Sequence, residues 1–150
     1  MQTFLPYTDF IKSAKCLDYK RLGKQRVEAK QILNILLNET DKKGWCNHPA
    51  VLMWKGYEWA LKVYYHTMLQ EWEDRGYKNN MSYYPTSCWL DDYTCEWDIT
   101  DFIVYPSWLT DEFCSRHRSA LLAKDFEYYK KFNWVEESKY EYLWPTKVGK

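Results

Sequence analysis

Residues Cys16–Leu36 read CLDYKRLGKQRVEAKQILNIL, and the rest of the chain is organised around them. Between Lys12 and Gln31 the basic residues are Lys12, Lys15, Lys20, Arg21, Lys24, Arg26 and Lys30, opposed only by Asp18 and Glu28. On a helix, the spacing of Asp18, Arg21, Gln25 and Glu28 places them on one face. Leu22, Ile32, Leu33 and Leu36 form an apolar stripe on other turns. A cationic surface holding two carboxylates and an amide suits a phosphate-bearing ligand with acid–base or electrostatic chemistry beside it. The plainer reading of the same charges is a solvated amphipathic helix with internal ion pairs.

Working outward, 150 residues predict one domain, 1–150, with a sizeable core. The sequence has no apolar run long enough to span a bilayer, and MQTFLPYTDF lacks the pattern of a signal peptide. The formal net charge is zero, which excludes an indiscriminate polyanion binder. The charge is uneven, however. Asp91, Asp92, Glu96, Asp98, Asp101, Asp111 and Glu112 fall in a region without Lys or Arg between Met81 and Ser115. The five cysteines are Cys16, Cys46, Cys88, Cys95 and Cys114; none are spaced CxxC. With only His48, His66 and His117 beside them, they predict reduced thiols and no metal site. Nine Trp and fourteen Tyr supply core and rim packing, or stacking surfaces for bases.

In chain order, Met1–Tyr7 reads as an extended arm against the core. Thr8 is expected to cap a first helix from about Asp9, with Phe10, Ile11 and Ala14 inward. Gly23 predicts a kink or junction near Leu22–Lys24. Asn47 or His48, with Pro49 behind it, starts the longest helix, Pro49–Arg75, which Gly76 ends. Its buried face runs through Val51, Trp54, Tyr57, Leu61, Tyr64, Met68 and Trp72. Tyr77–Leu109 is irregular, with minor strand character at Phe102–Tyr105. Thr110 caps a helix to about Ala123, and Asp125 begins a further turn with Phe126, Tyr129 and Phe132 inward. Trp134–Lys150 is an aromatic tail packing back. The sum is an all-α, compact, single-domain helical bundle with a long central helix and an irregular, partly extended insertion.

Four motifs carry a resemblance: Leu17-Asp18-x-x-Arg21-Leu22-Gly23-Lys24-Gln25-Arg26-Val27-Glu28, Asn47-His48-Pro49-Ala50, Glu71-Trp72-x-x-Arg75-Gly76-Tyr77, and His117-Arg118-Ser119-x-Leu121-Leu122-x-Lys124-Asp125. They resemble a bacterial and viral group classed with the pyrimidine-dimer DNA glycosylases, of which the phage endonuclease V type is the best-known relative. The resemblance implies a compact helical DNA-repair fold. It implies an N-terminal amine that attacks deoxyribose C1′, a glutamate that assists, and arginines that hold phosphates of kinked DNA. The expected setting is the cytoplasm of a bacterial or virus-infected cell.

Transferred onto this chain, the amine belongs to Met1, since the residue after it is the large Gln2. Where the family pattern has a glutamate between an arginine and a leucine, this chain reads Lys20-Arg21-Leu22, so Asp18 and Glu28 stand as the candidate carboxylates. Arg21, Lys24, Gln25, Arg26, His48, His117, Arg118 and Lys124 are the candidate DNA contacts. The expected activity is cleavage of the N-glycosidic bond of damaged or modified pyrimidines in double-stranded DNA, with or without abasic-site lyase activity. No cofactor, membrane or obligatory protein partner is expected. The alternatives are a non-catalytic DNA-binding protein of the same fold, and an enzyme acting on free modified nucleotides.

Overall fold

The computed structural model describes residues 2–41, 44–84, 104–139 and 144–145. All regular structure among them is helical. Helix α1 spans Phe10–Cys16 and α2 Tyr19–Leu36. Helix α3 is the short turn Pro49–Leu52, and α4 spans Glu58–Asp74. Helix α5 covers Asp111–Lys124, α6 Phe126–Tyr129, and a 3₁₀ turn follows at Lys130–Phe132. Among the described residues, no helix is long and apolar enough to cross a membrane.

The central layer is α2 packed on α4, with α1 also on α4 and α3 on α2. Leu22, Ala29, Ile32 and Leu33 of α2 are fully buried, as are Ala60, Leu61, Tyr64, Tyr65, Met68 and Leu69 of α4. These positions recur at helical spacing and give each helix one apolar face. Arg75 ties α1 to this layer: its Nη2 donates to the carbonyls of Ala14 and Lys15, each at 3.1 Å, satisfying the orphan end of that helix.

Several expectations are corrected. Asp9, not Thr8, caps α1, its carboxylate accepting from Lys12 N at 3.1 Å. Ile11 and Phe126 face outward, at 59 % and 55 % exposure. The predicted junction at Gly23 is absent, because α2 runs through it unbroken and the chain breaks earlier, at Leu17–Asp18. Gly23 serves close approach: a Cβ there would meet the Trp72 ring at 3.1 Å. The single helix Pro49–Arg75 is instead two, parted at Met53–Tyr57, where Gly56 takes a φ of +90°. The break lets Trp54 turn fully into the core. Gly76, with φ +88°, does end α4, and Thr110 and Asp125 do cap α5 and α6. Of the expected minor strand, Phe102 and Ile103 lie outside the described residues, as does most of the acidic stretch; Val104 and Tyr105 are not in a strand.

Gly23→Ala tests the close approach. Trp72 cannot easily move aside, since its indole N–H donates to Lys78 O at 2.9 Å and Arg26 stacks on it at 4.0 Å. Overpacking of ~1–3 kcal/mol outweighs the ~1 kcal/mol gain in helix propensity. The expected result is a melting temperature lower by roughly 2–4 °C, where propensity alone predicts a rise.

Candidate active site

The site is built on the N-terminal arm. Gln2 to Pro6 is buried and non-helical, and Thr3 and Leu5 have no exposure. Buried backbone N–H groups need partners, and an extended segment cannot supply them itself. Side chains of α2 and α5 provide most of them, and a side chain of α4 meets a carbonyl of the arm. Phe4 N donates to Gln25 Oε1 at 2.9 Å, and Leu5 N donates to His117 Nδ1 at 2.9 Å. The Tyr64 hydroxyl lies 2.9 Å from Phe4 O and 2.8 Å from Gln25 Oε1, its single proton set between two acceptors. Trp54 Nε1 donates to Thr3 Oγ1 at 2.9 Å. Thr3 N donates to the Gln2 side-chain oxygen at 2.8 Å.

At the start of this arm, Gln2 N donates to Glu28 Oε2 at 3.1 Å. The Gln25 amide N–H reaches the same oxygen at 3.4 Å. Gln25 therefore does two things: its oxygen holds the arm and its nitrogen orients the carboxylate. His48, the N-cap of α3, lies within electrostatic reach of this carboxylate. Its Nδ1 accepts from Ala50 N at 3.0 Å, which leaves the ring proton of the neutral form on Nε2. Burial pushes the His48 pKa down, against the opposing pull of the Glu28 carboxylate. The result is a half-buried carboxylate that accepts from the backbone N–H of Gln2 and the Gln25 amide.

The other residues singled out from the sequence divide into those near Glu28 and those elsewhere. Lys24 is exposed one turn before Glu28 on the same flank of α2. Arg21 lies on that flank too, paired with Asp18 at 3.2 Å. Asp18 caps α2 and accepts from Arg21 N; it also takes a short hydrogen bond from the Tyr129 hydroxyl. Ten residues along α2 separate it from Glu28, about 15 Å of helix, so the two carboxylates do not converge. Arg26 points the opposite way from Glu28, its guanidinium stacked on Trp72. Met1, the expected nucleophile, lies outside the described residues.

Besides Gln25, buried under the arm, and Arg26, three further expected DNA contacts are placed differently from the sequence reading. His117 is fully buried, and burial takes its pKa down to about 3, so it is a neutral core acceptor for Leu5 N rather than a surface contact. Arg118 is held inside the fold: Nη2 and Nε bond Glu136 at 2.8 and 3.0 Å, and Nη1 donates to Pro6 O at 2.7 Å. It pins the C-terminal segment to the arm. Lys124 is half-buried with its ammonium 5.8 Å from the centre of the Phe4 ring.

Sequence reasoning missed Tyr64, Trp54 and Gln2 as parts of the site. Tyr64 and Trp54 had been read as core, which they are; their polar tips alone carry the second role. Gln25 carried a signal, being an amide between buried helix positions. Cys16 and Cys114 are buried thiols with pKa pushed up to about 12, unsuited to nucleophilic work. Among the described residues, no group of three or more His, Cys, Asp and Glu side chains is placed to hold a metal ion.

Gln25→Leu removes the shared acceptor while keeping the volume. It leaves Phe4 N unpaired in the core and the Tyr64 hydroxyl with one acceptor fewer. A loss of ~1–3 kcal/mol in urea unfolding is expected, against less than ~0.5 kcal/mol if the arm is held by packing alone. Burial also lowers the His66 pKa, to about 4. His66 and His117 thus bind protons more weakly folded than unfolded. Their contribution to stability is complete above about pH 6.5 and is lost as pH falls towards 4 and 3. Melting between pH 7 and 5 should show destabilisation approaching two protons, each ~1.4 kcal/mol per pH unit. His66→Gln, which keeps an acceptor for Tyr84 N (2.8 Å), should remove one of them.

The family model described as pyrimidine dimer DNA glycosylase matches residues 1–85. That range contains the arm, Gln25, Glu28, His48 and Tyr64, while His117, Arg118 and Lys124 fall beyond it. No curated protein and no solved structure matches the chain. The match covers more than half of the 150 residues, and the chain belongs to the pyrimidine dimer DNA glycosylase family.

Proposed function

We propose that the protein excises damaged pyrimidines, UV-induced dimers first, from double-stranded DNA, with Glu28 as the catalytic carboxylate. The observation that carries this reading is the Glu28 Oε2 contact with Gln2 N at 3.1 Å. It sets an acid–base group against the N-terminal end of a chain whose family cleaves the N-glycosidic bond. A peptide unit spans about 3.8 Å, so in a chain that starts at Met1 the α-amine stays tethered within one such unit of this point. With an ordinary pKa of ~7.7–8, part of that amine is neutral at pH 7.

The reaction then runs as follows. The amine nitrogen bonds to C1′ as the C1′–N bond to the base breaks, the base leaving with the electron pair and a proton. The attacking nitrogen gives its proton to Glu28. The base takes its proton from water, and the ring opens to a protonated imine as Glu28 returns its proton to O4′; the freed carboxylate then takes a proton from C2′ while the C3′–O bond to the 3′ phosphate breaks, and water releases the sugar aldehyde and regenerates the amine. Glu28 also stabilises the oxocarbenium-like sugar electrostatically. Lys24 and Arg21, on the Glu28 flank, are the phosphate contacts, and His48 donates from Nε2. The target nucleotide reaches Glu28 by leaving the base stack. The whole chain, 1–150, acts as one glycosylase domain inside a bacterial or infected cell.

Glu28→Gln should lower dimer excision by about 100-fold or more with an unchanged melting temperature. The decisive assay is borohydride trapping on duplexes carrying a thymine dimer or an abasic site. A covalent band mapping to the N-terminal residue is the expected outcome. No band, but an alkali-labile site at the dimer, would replace the amine by water and keep Glu28. No product on either substrate, or full activity in Glu28→Gln, would sink the assignment.

A further inference from the structure

The Glu28 site has an aromatic wall that the catalytic reading does not use. His48, on whose charge the Glu28 carboxylate acts, meets the Trp45 indole edge-on with ring centres 5.3 Å apart and the Trp144 indole edge-on at 5.8 Å. Trp45 is 55 % exposed. Its exposed indole face is a large apolar surface open to a stacking partner. Its position is fixed. His48 N donates to Trp45 O at 2.9 Å, and His48 itself is locked as the cap of α3, which packs on α2. Trp59, also exposed among the described residues, differs: the Lys62 ammonium sits 4.6 Å from its ring centre, so a cation already covers it.

We propose that Trp45 is the stacking platform for a base unstacked from DNA at the lesion, and so a determinant of damage recognition. The proposal rests on the reading of this protein as a glycosylase acting beside Glu28. The chemistry fits an unpaired base and no other DNA component. A π-face accepts any base, whereas phosphates need cations, and Lys24 lies on the Glu28 flank for them. A Glu28 carboxylate close by would repel phosphate from the platform while leaving a neutral base unopposed. His48, with its low pKa, is neutral at pH 7 and adds no charge to the wall.

The test is equilibrium binding at one fixed salt concentration, comparing a duplex with a central thymine dimer and the same duplex undamaged. Wild type, Trp45→Ala and Trp45→Phe are compared, with melting temperatures confirming that all three fold. Trp45→Ala is expected to lose ~5- to 150-fold in affinity for the dimer duplex, with little change for the undamaged one. Trp45→Phe should recover most of the loss. Equal weakening on both duplexes, no weakening on either, or a wild type that does not distinguish them would each overturn the platform. Excision by wild type is scored in parallel. Selective, Trp45-dependent binding without excision would sink the glycosylase reading and leave the platform standing.

Discussion

The structure depends on how an extended, buried arm is satisfied without a sheet. Thr3, Phe4 and Leu5 pass through the core of a helical protein, where unpaired N–H groups are costly. Gln25 from α2, Tyr64 from α4 and His117 from α5 hydrogen-bond that backbone. The arm thereby joins three helices whose own contacts are partly indirect. The same set of bonds delivers the backbone of residue 2 to the Glu28 carboxylate. Holding the fold and assembling the site are thus one arrangement, with Gln25 common to both.

Helix α2 divides its duties by the 100° turn between residues. Gln25, Ala29 and Leu22 face the core. Glu28 and Lys24 occupy one flank and Arg26 and Lys30 the other, where both cations lie over aromatic rings, Trp72 and Tyr84. The basic run is therefore not one surface. Part of it is open beside the carboxylate, and part is spent on packing α2 against α4 and the loop that follows. Gly23 permits that packing by leaving room for Trp72.

Other buried or half-buried charges follow a common rule: each is hydrogen-bonded on several sides. Asp18 caps a helix, pairs with Arg21 and receives Tyr129. Arg118 joins Glu136 and Pro6 O. Arg75 joins Glu71 and the end of α1. Arg118 and Arg75 organise the fold, since drawing either into ligand binding would leave a partner unpaired in a poorly hydrated place, whereas Asp18 keeps Tyr129 and the Arg21 N–H whatever the Arg21 guanidinium binds. Glu28 differs in that its partners are the N-terminal end of the chain and an orienting amide.

Local chemistry was legible in the chain itself. Apolar spacing marked α2 and α4; Thr110 and Asp125 marked helix starts; Gly76 marked a stop; and Asp18 and Glu28 stood out as the two acids in a basic run. These depend on neighbours within a turn or two, which a sequence displays directly. Tertiary structure alone decided the rest. It determined whether Glu28 or Asp18 meets the start of the chain, that Gly23 serves packing instead of bending, and that Leu52 and Glu58 end and begin different helices. It also turned His117 from a candidate ligand contact into part of the core, and Arg118 into a tie between Glu136 and Pro6 O. The physical reason is that hydrogen-bond satisfaction is non-local: Leu5 and His117 are 112 residues apart, and no spacing rule reveals which buried donor a distant side chain will have to meet.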